Sequence, residues 1–374
     1  MTIKGFFKFV ADRIGYKPKE LSCIPVNSKL VVDAKNEMYK CAWGIPSTST
    51  SFVDDLANAI ASKYRKHVGN VLFVNDGDAP THNLKLETSI QRGVQRAQRV
   101  KRLREETIVA QELEAQIPRL EPIPTYHTPE VPIQVCSELQ GEPGEDKYEM
   151  PTQLAMQHDK VERLAKETRG ISTETSKQVL LKLEEMGFQC LQCEGEADPM
   201  LAKLSTTFDF VVSEDGDMIG LYGIHNLLTH KKGCYFLFNA NDFLAKANLT
   251  LEQMRWLSFI AGCDFIPSGI PGIGLATAYK LITTHHTLSG VLEALQSTKK
   301  PRVIPSDFEE RCQRSMDVLT NQTSTGEDDT EEGLLHGLAQ DEHGLEEELT
   351  GLGGGVGGGV GGGGRTCPSR CSTS

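Results

Sequence analysis

Short apolar runs at residues 29–33, 71–76, 188–193 and 208–213 have the length of buried strands. Between them, residues 52–67, 176–186 and 252–262 place apolar side chains at helical spacing. This order predicts an α/β fold: a mainly parallel central sheet flanked by helices. Ligands of such sheets sit beyond the carboxyl ends of the strands, so any chemistry is expected there.

Three stretches interrupt the pattern. Residues 116–151 contain seven Pro and read as an extended excursion. Residues 321–348 are polar and acidic, and 351–364 hold eleven Gly in fourteen positions, a composition too poor in side chains to build a core. A Leu set from 334 to 352 allows a weak amphipathic helix, but the intervening Gly favour a disordered tail. The expected organisation is therefore 1–115, with a basic helix; 116–151, a Pro-rich extension or linker; 152–300, with a helical hairpin; and 301–374, a mostly disordered extension, acidic and then Gly-rich.

Composition, 39% hydrophobic and 24% charged, excludes a fibrous or wholly disordered chain. No run reaches the roughly 18 uncharged apolar residues of a membrane span, and Lys8 breaks the apolar opening, so no signal peptide is expected. Ten scattered Cys do not form the dense framework of a small secreted domain. An intracellular protein without membrane partners is expected. The net charge of −12 argues against nucleic acid until it is located. Residues 327–348 hold ten acids and no Lys or Arg, and residues 1–326 carry 41 acids and 37 bases. Within that body, residues 85–104 bring together Lys85, Arg92, Arg96, Arg99, Lys101, Arg102 and Arg104 against Glu87 alone. At 100° per residue, Lys85, Arg92, Arg96 and Arg99 fall on one narrow helical stripe.

Acids follow the apolar runs: Asp33, Asp76, Glu194 with Glu196, Asp215 with Asp217, and, after the helical stretch, Asp264. Any one of them is an ordinary turn or cap residue. Asp198-Pro199 suits an N-cap and first helical position. Seven acids at one sheet edge would repel one another unless a cation lay among them. Oxygen-only donors favour Mg²⁺ or Mn²⁺ over Zn²⁺. Seven are more than one Mg²⁺ uses and suit two ions acting on a phosphodiester. A single structural Ca²⁺ is the competing reading, and it leaves the basic stripe without a use.

The same residues resemble the flap endonuclease and XPG family of structure-specific nucleases, with local similarity to the related 5' exonucleases. The similarity is collinear. It runs through Met1-Thr2-Ile3-Lys4-Gly5-Phe6, Val31-Val32-Asp33-Ala34, Asn75-Asp76-Gly77 and Glu194-Gly195-Glu196-Ala197-Asp198. It continues through Ser213-Glu214-Asp215-Gly216-Asp217 and Ala261-Gly262-Cys263-Asp264-Phe265 into Gly272-Ile273-Gly274-Leu275-Ala276. The resemblance implies a PIN-like 5' nuclease fold with a helical arch and a helix-hairpin-helix, acting on DNA with two Mg²⁺. Asp33, Asp76, Glu194 and Glu196 would hold one ion. Asp215, Asp217 and Asp264, with Glu196 shared, would hold the other. Lys85 and Arg92 match the arch bases that reach the scissile phosphate, and Tyr39 an aromatic ring that stacks on the adjacent base. Arg96 and Arg99 extend the phosphate-facing stripe. Gly272, Ile273 and Gly274 form the hairpin expected to hold duplex DNA, where the family also places a monovalent cation.

Some positions depart from the family pattern. Thr2 replaces Gly, and Asn75 replaces a bulky apolar residue, which is expected to loosen the strand end. The excursion at 116–151 alters the arch, and no glutamine-plus-aromatic box for a sliding clamp is found. Cys190 and Cys193 read as strand cysteines. These traits fit a virus-encoded member, and a monomer is expected. The function expected is DNA hydrolysis at 5' flaps, branches or 5' ends, in repair or replication, with a nuclear location implied by family and the cytoplasm as the alternative. The rivals are an inactive DNA-junction binder of the same fold and a ribonuclease of the wider superfamily.

Overall fold

The computed structural model describes residues 3, 5–77, 85–116, 146–231, 233–297 and 302–324. All belong to one unit, Met1–Gly326. Its centre is a seven-stranded sheet in the order β1-β7-β6-β5-β2-β3-β4. The strands are β1 (Lys19–Leu21), β2 (Leu30–Asp33), β3 (Val71–Asn75), β4 (Gln189–Gln192), β5 (Phe210–Val212), β6 (Asn226–Lys231) and β7 (Cys234–Asn239). Strands β6, β5, β2, β3 and β4 run parallel, so their carboxyl ends share one edge. Strand β7 pairs antiparallel with β6 and with β1, making the sheet mixed rather than wholly parallel.

The apolar runs become strands because both of their faces are covered. All four residues of β2 are buried. Leu30 and Val32 join Val71 and Phe73 in a core with Leu56, Ile60 and Tyr64 of helix Phe52–Tyr64 and Val179, Leu180 and Leu183 of helix Thr173–Glu185. Helix Ala197–Leu204 also packs on β2 and β3. Asn75 does not loosen the end of β3. It is fully buried, and its amide donates to Gln192 on the neighbouring strand at 2.9 Å.

Two further expectations change. Helix Leu86–Gln116 pairs with helix Asp146–Thr168, which begins within the stretch read as a Pro-rich excursion. His158 reaches Glu114 and Lys160 reaches Glu106, while Gly170, just past the second helix, lies against the Arg96 guanidinium, so the two helices run antiparallel. Residues 117–145 lie outside the described residues. The segment after 301 is not all tail: helix Phe308–Ser324 buries Phe308, Cys312, Met316 and Leu319 against helices Leu251–Ala261 and Ala197–Leu204. Four apolar residues at i, i+4, i+8 and i+11 form one helical face, hidden in the sequence by polar neighbours. The acidic and Gly-rich stretches beyond 324 lie outside the described residues.

Candidate active site

The carboxyl ends of β2, β3 and β5 open into a cavity of about 660 Å³. Asp33, Asp76, Glu196, Asp215 and Asp264 line it, together with Asp198. Its other wall comes from the long helix and its partner, with Arg92, Arg96 and Arg99 beside the end segment 167–170, and Lys85 just before the long helix also faces in. Five of the seven expected acids and all four residues of the basic stripe therefore share one cavity.

The local fold explains each placement. Asp33 ends β2 and caps the helix Ala34–Ala42, accepting from Asn36 N at 2.9 Å, while its other oxygen accepts from Ser213 Oγ at 2.9 Å. Asp76, just beyond β3, accepts from Ala197 N at 2.9 Å. Asp215 accepts from the Asp217 amide at 2.9 Å, and its own amide donates to Ser213 Oγ at 3.1 Å. Ser213 thus couples the ends of β2 and β5. Gly77 runs so close to the next acidic turn that a Cβ there would lie 2.0 Å from the Glu194 carbonyl oxygen; only glycine lets the two segments touch.

Glu194 and Asp217 are placed differently. Glu194 is exposed in the bend after β4 and does not line the cavity. Asp217 is buried behind it and accepts from Ile3 N at 2.7 Å. Tyr39 stands on helix Ala34–Ala42, 43% exposed, and lines the cavity rather than the core. In the hairpin after helix Leu251–Ala261, Gly269 and Gly272 adopt positive φ, and a Cβ on Gly269 would lie 2.5 Å from Ile260 O. Ile273 is buried and its amide donates to Ile270 O at 3.0 Å, so it shapes the turn, while Gly272 and Gly274 are exposed.

Sequence reasoning missed Lys35 and misread Asp198. The helix after the acidic turn is capped at Glu196, so Asp198 lies in its first turn, not at its start. Its two-residue spacing from Glu196, the same as between Glu194 and Glu196, was the available signal. Lys85 Nζ lies between these two carboxylates, 2.6 Å from Glu196 and 3.2 Å from Asp198, and 4.9 Å from the centre of the Phe265 ring. Lys35 Nζ is 3.3 Å from Asp76, and Arg92 pairs with Asp264.

Crowded carboxylates are costly to ionise. Burial, with Asp198 and Asp76 nearby, pushes Asp33 up to about 8, against the lowering effect of Asn36 and Ser213. Burial pushes Asp198 to about 6, Lys85 opposing and Asp215, Glu196 and Asp76 adding to it. Asp217 is driven well up by burial and by Asp215. Burial alone would lower Lys85, but Asp198, Tyr222 and Glu196 hold it well above its ordinary value, so it stays charged.

The donors are therefore hard oxygens, mutually destabilised, which is the chemistry that fits Mg²⁺ or Mn²⁺. Among the described residues no three His, Cys, Asp or Glu side chains stand together as a ready-made metal cage. The fit thus requires the lysines and Arg92 to yield carboxylate oxygens. A pH dependence follows. Folded-state values raised above the ordinary carboxylate value contribute stability that is complete below about pH 4. That stability is lost as pH rises through about 6 for Asp198 and about 8 for Asp33. Divalent ions favour the ionised forms, so the rise in melting temperature on adding Mg²⁺ should be larger at pH 8 than at pH 5.5. Equal rises at both pH values would contradict this account of the site.

Comparison with known proteins fits the geometry. The architecture is that of a 5' nuclease fold: the solved catalytic core of Rad2 in complex with DNA substrate superposes with a TM-score of 0.50 at 15% identity, covering 85% of this chain and 80% of that one. No family profile matches the chain. Its sequence is 28% identical over 185 residues to a probable flap endonuclease 1 homolog of Danio rerio, covering 47% of this chain and 52% of that protein. It is 30% identical over 207 residues to flap endonuclease 1 of Zea mays, covering 51% and 53%, and 32% identical over 153 residues to that of Candida albicans, covering 39% and 40%. The matched segments thus span about half the length of these relatives. The sequence similarity is to flap endonucleases, over about half of this chain.

Proposed function

We propose that this protein is a structure-specific DNA nuclease that hydrolyses phosphodiester bonds at 5' flaps, branches or 5' ends, using two Mg²⁺ ions for which Mn²⁺ can substitute. The observation that carries the proposal is the single cavity in which four carboxylates that follow strands, and Asp264 after helix Leu251–Ala261, face three arginines of the long helix. Named relatives are flap endonucleases, and the solved Rad2 core is described as bound to a DNA substrate. By this reading the protein acts inside the cell, in replication or repair, with DNA as its partner. No helix among the described residues is long and apolar enough to cross a membrane.

Two divalent ions, when bound, supply an acidified attacking water and neutralise the leaving oxygen. The protein's own residues do the rest. Asp33, Asp76, Glu196, Asp215 and Asp264 offer the oxygens, and Glu194 and Asp217 are assigned to the same set by family resemblance. Ser213 fixes the orientation of Asp33. Arg92 is placed to leave Asp264 for the scissile phosphate, stabilising charge that grows in the transition state. Lys85, held between Glu196 and Asp198, is the second base placed to meet that phosphate. Arg96 and Arg99 hold the neighbouring strand electrostatically. Tyr39 offers an exposed ring for a base. The exposed backbone at Gly272 and Gly274 is placed to hold duplex phosphate, and a monovalent cation at this hairpin is part of the same proposal.

The test is cleavage of a 5'-flap DNA duplex, with a matched RNA branch in parallel and product lengths resolved. Cutting of DNA in Mg²⁺, none in chelator and little on RNA is expected. Tight flap binding with no product in Mg²⁺ or Mn²⁺ would make the protein a junction binder, and preferential RNA cutting would make it a ribonuclease. Arg92→Ala should slow single-turnover cutting by about 10²-fold while changing flap affinity much less. An effect confined to affinity would reduce Arg92 to a phosphate contact.

A further inference from the structure

Lys35 is a cation in an unfavourable place. It lies in the first turn of helix Ala34–Ala42, just after the Asp33 cap, where the positive end of the helix dipole disfavours a basic side chain. What stabilises it there is Asp76, 3.3 Å away. Both side chains remain about one-third exposed, 30% and 34%, so the pair is a single, solvent-screened contact that is given up readily. Lys85, by contrast, touches two carboxylates and is 11% exposed. Lys35 and Tyr39 are four residues apart, lie on one face of the helix and both line the cavity. Lys35 therefore reaches the cavity from β2 and its helix, whereas Arg92, Arg96 and Arg99 reach it from the long helix.

We infer that Lys35 is a positioning residue that exchanges Asp76 for a substrate phosphate. Without a divalent ion its ammonium neutralises Asp76. When a divalent ion takes that carboxylate, the two cations repel and Lys35 turns to the phosphate of the nucleotide lying against Tyr39. The residue thus competes with the metal in the free protein and supports the substrate once metal is present. This inference rests on the nuclease reading above, and it assigns to Lys35 two effects of opposite sign that a purely structural ion pair would not produce.

The test compares the full chain with Lys35→Met, and with Lys35→Arg as the charge-conserving control. Mn²⁺ binding without DNA, followed by the loss of the free-ion paramagnetic resonance signal, should be about three- to tenfold tighter in Lys35→Met, since a competing charge has gone. In a non-cutting Asp215→Ala background, 5'-flap binding should weaken. Its log–log salt slope should fall by about one in Lys35→Met and be restored in Lys35→Arg. Unchanged Mn²⁺ affinity, with the unaltered protein taking up Mn²⁺ normally, would overturn the exchange while leaving the nuclease reading intact. An unchanged salt slope would overturn the phosphate contact. No Mn²⁺ uptake by the unaltered protein would overturn the nuclease reading and this inference with it.

Discussion

Asp215→Ala should lower the single-turnover rate of flap cleavage by about 10³-fold or more, while flap affinity stays within a few-fold. Asp215 stands where β5 ends and lines the cavity, with one oxygen accepting from the Asp217 amide. Removing the carboxylate deletes a hard donor from the centre of the acid cluster. The arginines of the long helix and the hairpin after Ala261, the elements assigned to hold DNA, are untouched. The substitution also relieves repulsion on Asp217 and Asp198, whose ionisation Asp215 opposes. Thermal stability in the absence of divalent ions should therefore hold or rise, which separates a chemical loss from unfolding. Cleavage at the unaltered rate would remove Asp215 from the metal set.

The second large effect is on stability. Glu37 is 2% exposed on helix Ala34–Ala42 and pairs with Lys63 from helix Phe52–Tyr64 and with Lys40 one turn on. Lys40 also reaches Glu214 at 3.2 Å, tying this helix to the acidic turn that carries Asp215 and Asp217. Burial alone would raise Glu37, but Lys63 and Lys40 overcome it and hold it below the ordinary carboxylate value. Glu37→Gln keeps the shape and removes the charge, leaving two lysines without their shared partner. The expected loss is about 3 kcal/mol, the usual result of breaking a buried pair from one side. Because the value is lowered on folding, the stability Glu37 contributes is present above about pH 4.5 and is lost as pH falls through its depressed folded value. The gap between Glu37→Gln and the unaltered protein, measured by urea unfolding, should therefore close as pH is lowered. A gap that does not change with pH would show that packing, not charge, explains the loss.

Much of this was legible in the chain. Runs such as Leu30-Val31-Val32 and Leu72-Phe73-Val74 announced the central parallel strands, because strands covered on both faces are apolar throughout. The acids that follow them were legible for the same reason: parallel strands bring their carboxyl ends to one edge. What was less legible depends on partners distant in sequence. Strand β6 carries Thr229, His230 and Lys231, and it is a strand because β5 and β7 flank it, not because of its own pattern. Helix Phe308–Ser324 is defined by the groove it fills. Lys35 gave no signal of its own, since its meaning comes from Asp76, 41 positions later in the chain. Asp217 shows the limit from the other side. An i, i+2 pair points both members to one side of an extended segment, but Gly216 and Asp217 already turn into a short helix, which carries the second acid behind the cavity wall.

Carboxylates that follow separate strands, together with Asp264, are expected to hold divalent ions in one cavity under the long helix. The most direct measurement is anomalous diffraction from crystals of the full chain soaked in Mn²⁺. Two manganese peaks are expected inside the cavity, bounded by Asp33, Asp76, Glu196, Asp215 and Asp264, with Lys35 and Arg92 moved off Asp76 and Asp264. Manganese found only outside this cavity, or no peak there at saturating Mn²⁺, would contradict that expectation.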